Sequence, residues 1–104
     1  MGADRSGSGG SHRQQRVHVD VASAAMLRLL WQLQISKGAM SLERPSAVRV
    51  GTRLEVVLVL TAGKTALAAT VRSCVPQGAH FLVSIALDEI SEAQRSAIGM
   101  LAGF

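Results

Sequence analysis

The chain has 104 residues, which is enough for one domain. Hydrophobic residues make up 48% and charged residues 17%, so the composition excludes a wholly disordered chain and supports a buried core. Eleven Lys and Arg against seven Asp and Glu give a net charge of +4; this raises a nucleic-acid reading, but Trp31, Phe81 and Phe104 are too few for the stacking platform of single-strand binders.

The chain starts with MGADRSGSGGSHRQQR, rich in Gly, Ser and Arg and poor in apolar side chains. Such a stretch buries too little surface to offset its ordering entropy. Residues 1–11 are expected to be a disordered tail, and residues 12–104 the domain. Arg5, Arg13 and Arg16 against Asp4 leave +2 in the first 16 residues; the remaining 88 carry 8 basic and 6 acidic groups, also +2. Half of the excess charge is therefore local to the arm, and the nearly balanced body argues against a general polyanion binder. No apolar run reaches the roughly 18 residues of a membrane span. No secretory apolar core follows the first Met, which points to a cytoplasmic protein.

Val17-His18-Val19-Asp20-Val21 alternates apolar and polar residues, the period of a strand with one buried face. From Ala22 to Gln34 the apolar residues are nearly continuous, and periodicity alone leaves helix and buried strand both open. Ser36-Lys37-Gly38 signals a turn, with a short strand at Met40–Leu42 after it. A loop over Glu43–Gly51 holds Pro45. Leu54–Leu60, almost all Val and Leu, then reads as a well-buried strand. Thr61-Ala62-Gly63-Lys64 turns the chain, Ala66–Ser73 returns as the next strand, Pro76-Gln77-Gly78 turns again, and His80–Leu87 is a third, forming an antiparallel meander. Ser91-Glu92-Ala93-Gln94 is a capping box opening a short helix with Ala97, Ile98 and Leu101 on one face. Gly99 within that helix costs about 1 kcal/mol relative to Ala, so docking on a small, mostly antiparallel β-barrel is expected to hold it.

Enzyme motifs are weak. Gly63-Lys64-Thr65 ends like a phosphate loop, but Leu58 stands where that motif needs Gly, and a strand follows instead of a helix. His18 and Asp20 share a strand face, yet even with His12 they lack a fourth ligand at a metal-site spacing, so no metal is expected. The single Cys74 excludes an internal disulfide and reads as a small hydrophobe closing a strand. Ser36 has neither a base partner nor nucleophile-elbow glycines. No catalytic residue is assigned, and the chain reads as a non-enzyme.

One resemblance joins these pieces. The stretch Ile35-Ser36-Lys37-Gly38-Ala39-Met40, then Val50-Gly51-Thr52-Arg53-Leu54, and finally Ile90-Ser91-Glu92 before a terminal helix, resembles the PilZ domain family of bacteria. The likeness covers about residues 12–104, and the apolar block Ala24–Leu33 looks closest to branches found with type IV pilus and gliding systems. It implies a small antiparallel six-stranded β-barrel with a C-terminal α-helix.

It also implies a ligand, cyclic di-GMP, which many members hold with two arginines on the arm and an Asp/Asn-x-Ser-x-x-Gly turn. Arginines pair with phosphates and guanine edges, and a turn glycine lets the backbone approach the ligand. Carried over, the ligand residues are His12, Arg13, Arg16, Gln34, Ser36, Lys37, Gly38 and Ala39. His12 stands where the first Arg belongs, Gln34 replaces Asp/Asn, and Ala39 replaces the last Gly. Three lost contacts, partly compensated, together cost on the order of 4 kcal/mol, roughly a thousandfold in affinity. The expected function is a regulatory adaptor in a motility or signalling assembly, acting by protein contact with weak or no cyclic di-GMP binding. The alternative is a working cyclic di-GMP receptor. Surplus apolar residues in Ala22–Leu33 either face a protein partner or a second copy, or simply fill the core.

Overall fold

The computed structural model describes residues 15–103. The expected tail over residues 1–11, and His12 and Arg13, lie outside the described residues. Strand β1 spans Gln15–Asp20, helix α1 Ala24–Leu33, β2 Ala39–Arg44, β3 Arg53–Leu60, β4 Gly63–Gln77, β5 His80–Leu87 and helix α2 Glu92–Ala102, with one 3-10 turn at Ile35–Lys37. The strands form one sheet in the order β1-β3-β4-β5-β2.

Three expectations are corrected. Among the described residues the sheet has five strands rather than six, and Ala24–Leu33, which periodicity left open, is a helix. Ala, Met, Leu, Arg and Gln are strong helix formers with no β-branched side chain among them. Ser23 caps them, its Oγ accepting the Met26 N–H at 3.2 Å. The sheet is also mixed rather than purely antiparallel. The segment between β1 and β3 carries the chain to the far edge, where β2 pairs with β5, and back, so β1 runs parallel to β3 with Val17 opposite Val56. Finally, the described residues do not close the expected barrel. β1 and β2 are the two edges of the sheet, with β3, β4 and β5 between them.

The meander is as expected, with one shift at its second turn. β4 continues through Pro76 to Gln77, and Gly78-Ala79 makes the turn at φ +64° for Gly78. Pro76 is tolerated because β4 beyond Val71 has only β5 alongside, so no ladder donor is lost to a second neighbour.

One sheet face is apolar. Val17, Leu54, Val56, Leu58, Leu67, Ala69, Val71, Val83 and Ile85 are buried there, with Met40 and Leu42 from the β2 edge. Leu27 of α1 and Ile98 and Ala102 of α2 complete this core. The capping box forms as read: Gln94 N–H donates to Ser91 Oγ at 3.1 Å, and Ser91 N–H to Gln94 Oε1 at 2.8 Å. Gln94 Nε2 also donates to the Ala66 carbonyl at 3.0 Å, tying α2 to β4. Arg28 on α1 donates to the Ala102 carbonyl at the end of α2, satisfying one of the carbonyls a helix C-terminus leaves open. No helix among the described residues is long and apolar enough to cross a membrane.

Candidate functional site

The turn that carries Gln34, Ser36, Lys37, Gly38 and Ala39 is built by the end of α1. Gln34 closes the helix, its N–H donating to the Leu30 carbonyl at 2.9 Å. Ile35 is buried and anchors the 3-10 turn to the core. Gly38 then takes φ +79°, a left-handed conformation that favours glycine. Its N–H donates to the Ile35 carbonyl at 2.9 Å, and its own carbonyl accepts the Leu87 N–H at 2.8 Å. The turn is thereby pinned to the end of β5.

Gln34, Lys37, Gly38 and Ala39 line one shallow groove of about 550 Å³. Within it, Gln34 Oε1 is already engaged, accepting the Ser41 N–H on the edge of β2 at 2.9 Å. Lys37 is exposed. Ser36 points elsewhere. Its Oγ donates to the Gln32 carbonyl at 3.4 Å, and it borders a separate hollow with Trp31, Asp88 and Arg95.

Arg72 also lines the groove, and motif reasoning missed it. A β-bulge between Val71 and Ser73 leaves Arg72 without a ladder partner on β5, and a bulge re-aims the side chain it carries. The sequence holds the signal. Core-facing positions run Leu67, Ala69, Val71 and then the half-buried Cys74, so the period-2 pattern slips by one at Arg72.

Arg16 stands apart from this turn. It lies on the polar face of β1, where Nε donates to Glu55 Oε1 of β3 at 2.6 Å. Beside it a different hollow is lined by His18, Val57 and Lys64. β1 and β2 are the opposite edges of the strand order, with β3, β4 and β5 between them. The structure therefore gathers Gln34, Lys37, Gly38 and Ala39, and leaves Arg16 in another hollow.

Between the two stands a second ion pair. Arg53 of β3 makes a two-point contact with Asp88, at 3.0 and 2.6 Å, and donates to Thr70 Oγ1 at 2.6 Å. Hydrogen bonds from Arg53, assisted by its charge, hold the Asp88 carboxyl below its ordinary value against the opposing effect of burial. The same contacts raise the Arg53 guanidinium.

His18 and Asp20 are both exposed, and no group of three or more His, Cys, Asp or Glu that could hold a metal occurs among the described residues. Cys74 is half-buried against the core, with the Val48 N–H directed at its Sγ at 3.4 Å. No protein-family model matches the chain, and no curated protein matches it.

Proposed function

We propose that this chain is a PilZ-like regulatory adaptor, cytoplasmic, that works by contact with a protein of a motility or signalling assembly and binds cyclic di-GMP weakly or not at all. The observation that carries the reading is that Arg16 and the Gln34–Ala39 turn border different hollows, on strands at opposite ends of the strand order. A ligand gripped by both halves of the motif needs them side by side. Two further contacts favour it: Arg16 is held by Glu55 and the Gln34 acceptor oxygen by Ser41, so a ligand would have to compete for both.

The alternative, a working receptor, draws support from Arg72, which joins Lys37 on the turn groove and supplies a guanidinium where the arm motif is degenerate. Titration with cyclic di-GMP, followed by backbone amide shifts, separates the two. The adaptor reading expects no saturable shifts at residues 12–16 or 34–39 at micromolar ligand. Saturation in that range, abolished by Arg16→Ala, overturns it in favour of the receptor.

A further inference from the structure

Helix α1 is apolar nearly all round. Leu27 faces the core, whereas Met26, Leu29 and Leu33 are 46%, 48% and 62% exposed. Their i, i+3, i+7 spacing puts them within about 60° of one another around the helix, so they form one stripe rather than scattered surface residues. The only charged side chain of α1, Arg28, is turned away to the Ala102 carbonyl. A helix apolar on both sides normally has both sides covered.

The stripe does not end at Leu33, which also lines the groove beside the Gly38 turn. The other apolar residues lining it are Ala39 and Ala86, together with Met40 and Ile85, whose side chains are buried in the core. The charged residues lining it are Lys37 and Arg72, and no carboxylate lines it. Stripe and groove are therefore one continuous surface, apolar along α1 and cationic where it meets the sheet.

From this we infer that the surface is the docking site for an acidic amphipathic segment of a partner protein, its apolar side chains on Met26, Leu29 and Leu33 and its carboxylates beside Lys37 and Arg72. The inference rests on the adaptor reading and gives its partner a chemistry. Charge selects this occupant over a second copy of the chain. In a two-fold pair built from this surface, Lys37 and Arg72 would meet either their own equivalents or the apolar stripe of the other copy, and neither offers a carboxylate. The helix is also only about 15 Å long, too short for self-packing alone to approach the roughly 1,000 Å² of a stable interface. An acidic segment seated in the groove adds ion pairs, and the net charge of +4 draws it in.

The test uses the full chain labelled with nitrogen-15 and two synthetic helix-forming peptides. Both have leucine at i, i+3 and i+7; one has glutamate and the other lysine at the remaining positions. The glutamate peptide is expected to give saturable amide shifts at residues 26–41 and around Arg72. A Lys37→Glu, Arg72→Glu double variant should weaken it at least tenfold, Leu33→Ser should weaken it several-fold, and added salt should weaken it further. These side chains are exposed or line the open groove, and the retained spectrum of each variant checks its fold. Equal binding of both peptides, shifts confined to other surfaces, or no shifts overturn the proposal. So do concentration-dependent shifts of α1 in the chain alone, which would assign the stripe to a second copy. Micromolar cyclic di-GMP binding at residues 12–16 and 34–39 overturns the adaptor reading instead, and is read on the same sample without peptide.

Discussion

The side-chain oxygen of Gln34 accepts the backbone N–H of Ser41 at 2.9 Å, so the residue at the start of the ligand-like turn is also a clasp on the edge of the sheet. Ser41 lies on β2, an edge strand with β5 on one side only. Its N–H points away from the sheet and would otherwise stand open to another strand. Gln34 closes it. A site residue in the resemblance is thus a structural residue in this chain.

Replacing Gln34 with Ala removes the acceptor and is expected to cost about 0.5–1.5 kcal/mol. Gln34→Asn should cost nearly as much, because the shorter side chain does not reach Ser41, whereas Gln34→Glu keeps an oxygen in place. Urea unfolding gives the stability, and hydrogen exchange at the Ser41 amide gives the mechanism. Unchanged Ser41 exchange in Gln34→Ala would show that the clasp contributes nothing.

The Arg53–Asp88 contact predicts a pH dependence with a definite sign. Asp88 is held below its ordinary value in the folded chain, so its contribution is fully present above the ordinary carboxylate value of about 3.9. It is lost as the pH falls through the lowered folded value. The stability difference between the parent chain and Asp88→Asn should therefore be constant from pH 7 to about 5 and shrink below about 4. Both side chains are well exposed, so the effect is screened and should decline with added salt. A gap that is independent of pH down to 2 would show that the charge of Asp88 is not what the variant removes.

Most of the sheet is legible in the sequence because its strands alternate or run continuously apolar between turn residues. Leu54–Leu60 and His80–Leu87 need no tertiary information. The ambiguous segment is harder. Leu27 is buried and Leu29 half exposed, yet both are leucine, so the pattern carries no face, and only the Ser23 cap and the lack of β-branched residues mark a helix. Strand order is not written locally at all. That β1 runs parallel to β3, placing Arg16 and the Gln34 turn in different hollows, depends on where the β1–β3 connection travels. The candidate site was half legible for the same reason. Residues contiguous in sequence, Gln34 to Ala39, stay together, while Arg72 comes from a bulge whose only trace is a one-residue slip in the burial pattern.

The two sides of α1 should respond very unequally to the same change. Leu27 is fully buried among Ile98, Ala102 and the apolar sheet face, so Leu27→Ala should destabilise by about 2–5 kcal/mol. Leu29→Ala, two residues on, should fall within about 0.5 kcal/mol of the parent, because its side chain is half exposed and leaves no closed cavity. Thermal unfolding of both variants at one protein concentration checks this. A large loss at Leu29 would mean that the stripe is already covered in solution, and dilution of the sample would then lower the transition temperature.

Gly38 separates backbone cost from contact cost. Its φ of +79° favours glycine, while no atom lies within 4 Å of where a Cβ would stand. Gly38→Ala therefore meets no clash, and its whole penalty is the left-handed backbone, about 1–2 kcal/mol. If the turn relaxes to avoid that penalty, the Gly38 carbonyl moves off the Leu87 N–H, whose bond ties the turn to the end of β5. Exchange at the Leu87 amide should then quicken in step with the loss of stability. Ala39→Gly, one residue later on a strand with ordinary extended backbone, should cost less and leave Leu87 unaffected. Equal effects at the two positions would show that the left-handed turn is not what holds the groove in shape.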